Sequence, residues 1–124
     1  MASNKIIRMG PVALSNTLTT NIVNPTITSL AGPVGYTQTQ PYLVIRHVRI
    51  VNKTAGAVTF SLWLGATGAN TAGTEVIGNA LSVAANSAFD WYGMLRLDAA
   101  DFLVGGASAA TSLTFEAEGE IGIS

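Results

Sequence analysis

Residues 42–64, YLVIRHVRIVNKTAGAVTFSLWL, decide the fold class of this chain. The first half, residues 42–52, is rich in the β-branched residues that are typical of strands. In the second half, residues 57–64, apolar side chains alternate with Thr59, Ser61 and Trp63, and alternate side chains of a strand share a face. The connecting NKTAG contains Asn and Gly, which tolerate positive φ, so the stretch predicts a hairpin.

The remainder of the chain shows the same strand pattern and no helical one. Further strands are predicted at residues 75–83, 88–97, 102–104 and 113–123, and the loops between them are rich in Gly, Ala, Ser and Asn. No long segment repeats apolar residues at helical spacing. The sequence therefore predicts an all-β protein: an antiparallel β-sandwich, jelly-roll-like, in a single domain over residues 21–124.

The N-terminal third has a different composition, since all four prolines lie within residues 1–41. Proline cannot donate to a strand ladder, so any strands here are predicted at sheet edges. Residues 1–20 are predicted to form an extended N-terminal arm that reaches a neighbouring molecule by strand addition. The expected contact residues of this arm are Lys5, Ile6, Ile7 and Arg8.

The chain is unusually poor in charge for its size. Of its 124 residues 10% are charged and 48% are hydrophobic, and the mean hydropathy is +0.41. No apolar run approaches the roughly 20 residues that a membrane helix needs. The surface is therefore expected to consist of Thr, Ser, Asn and Gly and to be covered in part by other subunits, which predicts a homo-oligomer.

Several functional classes fit this composition poorly. The net charge of -1 and the absence of a basic stripe argue against a nucleic-acid binder. The chain has no cysteine, which excludes disulfides and thiolate metal sites. The N-terminal MASNKIIRMG lacks the apolar core of a signal peptide, so the protein is expected to be made and used without export and to assemble in the cytoplasm.

Residues 113–123, LTFEAEGEIGI, place an acid at every second position. Glu116, Glu118 and Glu120 share one face of the predicted strand, and the opposite face is apolar. Because the apolar side chains need a core, the glutamates are predicted to face solvent or a partner. A cation-responsive contact and a pair of catalytic acids remain as alternatives, although the sequence shows neither a calcium loop nor a sugar cleft.

His47 is the single histidine. The period-two pattern places it on the face that carries Leu43, Ile45, Arg49 and Val51, where a half-buried, hydrogen-bonded structural role is expected. The sequence has no nucleophile elbow, phosphate-binding loop or dinucleotide fingerprint. The chain is therefore predicted to be non-enzymatic, with no cofactor, metal or small-molecule substrate.

Trp63 falls on the Thr/Ser side of its strand and is predicted to lie outside the core that contains Phe60. An outward tryptophan forms a seam between subunits, a platform for stacking a sugar, or a locally covered position. The subunit seam is the favoured interpretation, and Trp63 joins the three glutamates and the arm residues as a candidate interface residue.

Three segments carry a resemblance to a known class of protein. They are VIRHVRIVNKTAGAVTFSLWLG (44–65), LSVAANSAFDWYG (81–93) and LRLDAADFLVGGASAATSLTFEAEGEI (95–121). In order and in their turn motifs they resemble small virion proteins of tailed bacteriophages. The last of these segments would then form a turn and a final hairpin.

The resemblance implies a structural component of a phage particle. Among such proteins this chain looks most like a capsid decoration, or cement, protein, which binds the major capsid protein where capsomers meet and often does so as a homotrimer. A neck, tail or head-fibre adaptor or adhesion module is the alternative that the same resemblance allows. A cellular sugar-binding module is a third reading, resting on the outward Trp63.

Overall fold

The structure, a computed structural model, describes residues 5–25 and 42–122, and the side chains from residue 6 onward. These residues form eight strands and no helix: β1 (Lys5–Ala13), β2 (Asn21–Val23), β3 (Tyr42–Asn52), β4 (Val58–Gly65), β5 (Leu81–Val83), β6 (Ala88–Leu97), β7 (Phe102–Ala107) and β8 (Leu113–Gly122). The predicted all-β class is confirmed.

The strands form two four-stranded sheets that pack face to face. The first sheet has the order β1-β8-β3-β6 and the second has the order β2-β7-β4-β5, and each pair of neighbours is antiparallel. Both sheets supply fully buried side chains to one core, among them Ile45, Ile50, Phe60, Leu62 and Phe115. The predicted antiparallel sandwich is therefore confirmed.

β8 has the two faces that its sequence predicted. Leu113, Phe115, Ala117 and Ile121 are buried, whereas the three glutamates lie on the opposite side. Such strict alternation arises because successive side chains of a strand point to opposite sides of the sheet. β6 likewise spans the predicted residues 88–97.

The predicted hairpin between β3 and β4 is wrong, because the two strands belong to different sheets. The five residues between them form an arch across the edge of the sandwich. Asn52, which is buried, supports this arch: its side-chain amide donates to the carbonyl oxygens of Gly56 (2.9 Å) and Val83 (3.0 Å), and its Oδ1 accepts from the Thr54 N–H at 2.9 Å. The final hairpin expected from the resemblance is corrected for the same reason, since β7 and β8 also lie in different sheets.

β3 contains a bulge that changes which residues face the core. The register to both neighbouring strands shifts between Ile45 and His47. Ile45 and Val48 are both buried, so the inward side changes from odd to even positions across the bulge. The prediction that His47 shares a face with Leu43 and Ile45 is therefore wrong, because one extra residue turns all later side chains to the other side.

The structure does not confirm the extended N-terminal arm. Residues 5–13 form β1, which pairs with β8 of the same chain, and Ile7 and Met9 are buried in the core. Residues 1–4 lie outside the described residues. The related expectation that the proline-rich third supplies edge strands is confirmed for β1 and β2, which each stand at the end of a sheet. Any strand within residues 26–41 lies outside the described residues.

Candidate interaction surface

The outer side of the first sheet carries most of the charge that the structure describes. We call this surface the charged face and define it by Arg8, Arg46, His47, Arg49, Asp90, Tyr92, Glu116, Glu118 and Glu120. Strand register places these side chains in rows, because paired residues of neighbouring strands point the same way. One row runs Arg8–Glu118–His47–Tyr92 from β1 to β6.

Ion pairs across strands join most of the cations and carboxylates of the charged face. Arg46, the residue at the bulge, donates from Nε to Glu120 Oε2 at 2.8 Å. Arg49 donates from Nε to Asp90 Oδ1 at 2.8 Å and reaches Asp90 Oδ2 from Nη2 at 3.5 Å. These pairs keep the face close to neutral, so it offers alternating charges rather than a field of one sign.

His47 lies at the centre of this arrangement. Its Nε2 is 2.8 Å from Asp90 Oδ1, its Nδ1 is 3.5 Å from Glu118 Oε1, and its ring stacks on Tyr92 at 4.6 Å between centroids. The histidine is half-buried and hydrogen-bonded, as predicted. Carboxylates of two neighbouring strands face the two ring nitrogens, one on each side. His47 therefore ties three strands together.

The surroundings of Asp90 and Glu116 shift their pKa values in opposite directions. Hydrogen bonds from Arg49 and then His47 hold the pKa of the Asp90 carboxyl below its ordinary value. Burial, together with the neighbouring Glu118, raises the pKa of the Glu116 carboxyl. The face thus contains one carboxylate that the fold stabilises in its charged form and one whose charge the fold opposes.

Exposed apolar side chains border the charged face on both sides. Ile6, on β1, is 87% exposed, and on β6 Tyr92 is 72% and Met94 is 67% exposed. Single exposed hydrophobic residues are common on protein surfaces, whereas contiguous apolar patches mark interaction sites. The first sheet therefore combines a charge-paired centre with apolar residues on its two edge strands.

The four predicted arm residues separate into different environments. Ile6 and Arg8 point outward beside the charged face, whereas Ile7 is only 6% exposed and belongs to the core. Ile7 is therefore corrected from a candidate interface residue to a core residue, because the alternation of β1 turns it inward. The side chain of Lys5 lies outside the described residues.

Trp63 is buried, with 7% of its surface exposed, so the structure offers no exposed indole to a partner subunit or a sugar. The neighbouring segment lies alongside β4: the Leu64 N–H donates to the Thr74 carbonyl at 3.0 Å and the Val76 N–H to the Leu62 carbonyl at 2.9 Å. Hydrogen bonds from the backbone of Glu75 and Gly73, and then from the Trp63 indole, lower the pKa of the Glu75 carboxyl. Of the three interpretations of Trp63, the structure therefore agrees with the locally covered position. Trp63 lies outside the main core, as predicted.

The sequence did not identify Arg46, Arg49, Asp90 or Tyr92 as members of the surface. The available signal was the spacing of apolar residues in β3: Leu43 and Ile45 follow one phase, and Val48 and Ile50 follow the other. A three-residue step between two period-two series indicates a bulge. With that bulge placed, Arg49 moves onto the face of the glutamates of β8.

A shallow cavity of about 250 Å³ lies on the outer side of the second sheet, lined by residues that include Asn16, Leu18, Thr59, Ser61 and Ser108. Its polar groups are hydroxyls and an amide. Ser61 Oγ already accepts from the Ala80 N–H at 2.7 Å. The second sheet therefore presents a neutral surface, in contrast to the charged face.

Comparisons with known proteins do not assign this chain to a family: no family model matches it, and no curated protein matches it. Among residues 5–25 and 42–122, no helix has the length and apolar character needed to cross a membrane. Within the same residues no group of three or more His, Asp or Glu side chains is placed to hold a metal ion. The function must therefore be argued from the fold and the charged face.

Proposed function

We propose that this chain is a non-enzymatic structural protein of a bacteriophage particle, which decorates and stabilises the capsid by binding the major capsid protein at capsomer junctions. The observation that carries the proposal is the order in which the strands pair. The resemblance of residues 44–121 to small phage virion proteins supports it as well. The site of action is the virion surface.

The strand order supports a jelly roll as the finer description of the sandwich. The pairs β1·β8, β2·β7, β3·β6 and β4·β5 are all present. They are the pairs of one long antiparallel ribbon that is folded back at β4–β5 and wound between the two sheets. Jelly rolls of eight strands recur in viral capsid proteins, in lectins and in cupins.

The positions of two side chains favour the structural use of this fold. Fold alone does not set function, so the choice depends on the chemistry of the surfaces. The single histidine lies on the outer side, held between Asp90 and Glu118, rather than inside the sandwich. Trp63, the residue on which the sugar-binding reading depended, is covered by its own chain. What the protein presents to a partner is the charged face.

The charged face suits a protein partner of mixed charge. Its ion pairs fix the orientations of Arg46 with Glu120 and of Arg49 with Asp90 before binding, which reduces the ordering cost of association. Glu118 has the longest ion-pair contact of the described residues, 3.5 Å, and its side chain is 57% exposed. It is therefore the carboxylate best placed to accept an Arg or Lys of the capsid protein.

The proposal is tested by sedimenting the purified protein with undecorated shells of the phage that encodes it. Saturable binding to the shells, at a fixed ratio to the major capsid protein, is the expected result. Binding to isolated tails or fibres in place of shells would contradict the capsid assignment and would favour the neck, tail or head-fibre module. Binding to neither particle would remove the virion role.

A further inference from the structure

The two edge strands of the first sheet differ in chemistry and complement each other. Within the described residues, β1 pairs only with β8 and β6 pairs only with β3, so each has one outer edge available. Among the described residues five large hydrophobic side chains are exposed, and three of them lie on these two strands: Ile6, Tyr92 and Met94. Unpaired edges with exposed apolar side chains are templates for pairing with another chain.

The directions of the two strands allow a second copy to continue the sheet. Every neighbour in β1-β8-β3-β6 is antiparallel, so β1 and β6 run in opposite directions. When a second copy stands beside the first in the same orientation, its β1 lies antiparallel to β6. The core-facing sides of the two first sheets then lie on the same side of the joined sheet.

One register matches the side chains on both faces. When Arg8 of one copy lies opposite Asp90 of the next, Ile6 lies opposite Tyr92. In the same register Ile7 lies beside Trp91 and Met9 beside Phe89 on the inner side, because alternate side chains of each strand share a face. Apolar residues then meet apolar residues, and the guanidinium of Arg8 reaches a carboxylate whose Oδ2 is only loosely held, at 3.5 Å from Arg49.

From this match we infer that a second copy of the chain docks its β1 along the outer edge of β6, in a head-to-tail contact. A contact of this kind uses different patches on the two copies, so it closes into a ring or extends into a filament. The twist between neighbouring strands rotates each copy against the last, and this rotation sets which of the two forms results. The inference goes beyond the proposed function: it supplies an interface for the homo-oligomer that the charge-poor composition predicts, and it does not rest on the phage shell.

The chain has no cysteine, which permits a specific cross-linking test. Ile6→Cys and Tyr92→Cys are prepared as separate variants and mixed under mild oxidation or with a short bismaleimide. Directly opposed residues of an antiparallel pair have Cβ atoms roughly 4.5–5.5 Å apart, within reach of both reactions. The mixture should give a covalent dimer, and each variant alone should give none. The double variant should give a series of products that ends at a closed ring of three copies.

Leu18→Cys mixed with Tyr92→Cys is the matched control, because Leu18 is also exposed but lies beside the second sheet. Dimer formation by Tyr92→Cys alone would indicate a two-fold contact between β6 strands and would overturn the inference. A mixture that cross-links no more than the control would also overturn it. If such a protein still sediments with shells, the edge serves another occupant, such as a strand of the capsid protein, and the proposed function survives.

Discussion

The outer faces of the two sheets differ in what lies on them. On the first sheet, charged side chains pair with one another across strands and remain accessible, as Arg49 and Asp90 do. On the second sheet, the chain's own connections cover the strands. A side chain at Gly106 would collide with the carbonyl of Ser15, which accepts from the Ala107 N–H at 2.8 Å, so the segment after β1 lies directly against β7. Among the described residues the first face stays accessible, whereas part of the second is enclosed by the protein itself.

Strand alternation therefore identifies the outer side of a sheet, but it does not show whether another part of the chain covers that side. Trp63 and Glu118 both occupy outward positions by sequence. Trp63 is enclosed because the segment around Glu75 adds to the edge of β4, whereas Glu118 lies in a central strand whose outer side nothing in the described chain covers. The path of the loops decides whether an outward side chain is covered, and loops show no periodic pattern in the sequence.

The largest effect is expected from removing the enclosed indole. Trp63→Ala should lower the free energy of unfolding by about 3–5 kcal/mol, because it deletes a buried aromatic side chain. Tyr92→Ala, at an exposed ring on the other face, should cost less than about 1 kcal/mol. Urea denaturation followed by circular dichroism measures both. If Trp63→Ala kept its stability and dissociated an oligomer, Trp63 would lie at a contact between subunits. Its own chain would then not be what encloses it.

A smaller loss is expected from Asp90→Asn, which removes the carboxylate that Arg49 and His47 share. The folded-state pKa of Asp90 lies below its ordinary value, so its contribution to stability is present above that ordinary value and is lost as pH falls through the folded-state pKa. The variant should therefore have a lower melting temperature than the wild type at neutral pH, and the gap between the two melting temperatures should narrow in strong acid. A gap that stays constant with pH would show that the ion pairs do not stabilise the charged face.

The smallest effect, and one of opposite sign, is expected from Glu116→Gln. Because the pKa of Glu116 is raised, its ionised form disfavours folding above that folded-state pKa, and stability falls as pH rises through the interval above its ordinary value. Glu116→Gln should gain at most about 0.5 kcal/mol at neutral pH, since surface charge effects are small. A clear loss measured by thermal melting would mean that the pairing of Glu116 with Arg49 outweighs its burial.

The sequence predicted the sandwich, the bounds of β6 and the outward glutamates of β8 because alternation reports burial directly. It did not predict that β3 and β4 lie in different sheets, since a strand has the same alternation whichever sheet it joins. The arm was predicted from the prolines and the short apolar groups of residues 1–41, yet Pro11 lies at an irregularity of edge strand β1, between Met9 and Val12. The partners of His47 required the bulge, which shifts the register of one strand against both neighbours.

We propose that the charged face docks on the capsid, and paired charge changes on the two faces distinguish it from the second sheet as the docking surface. Glu118→Lys places a lysine on the charged face, and Ser82→Lys places one on an exposed position of the second sheet. Both variants are sedimented with undecorated shells after their fold is checked by circular dichroism. Glu118→Lys should weaken binding by about tenfold or more, because it sets like charges against the capsid cations, and Ser82→Lys should bind as the wild type does. Unchanged binding by Glu118→Lys together with a loss for Ser82→Lys would place the docking surface on the second sheet and contradict the account.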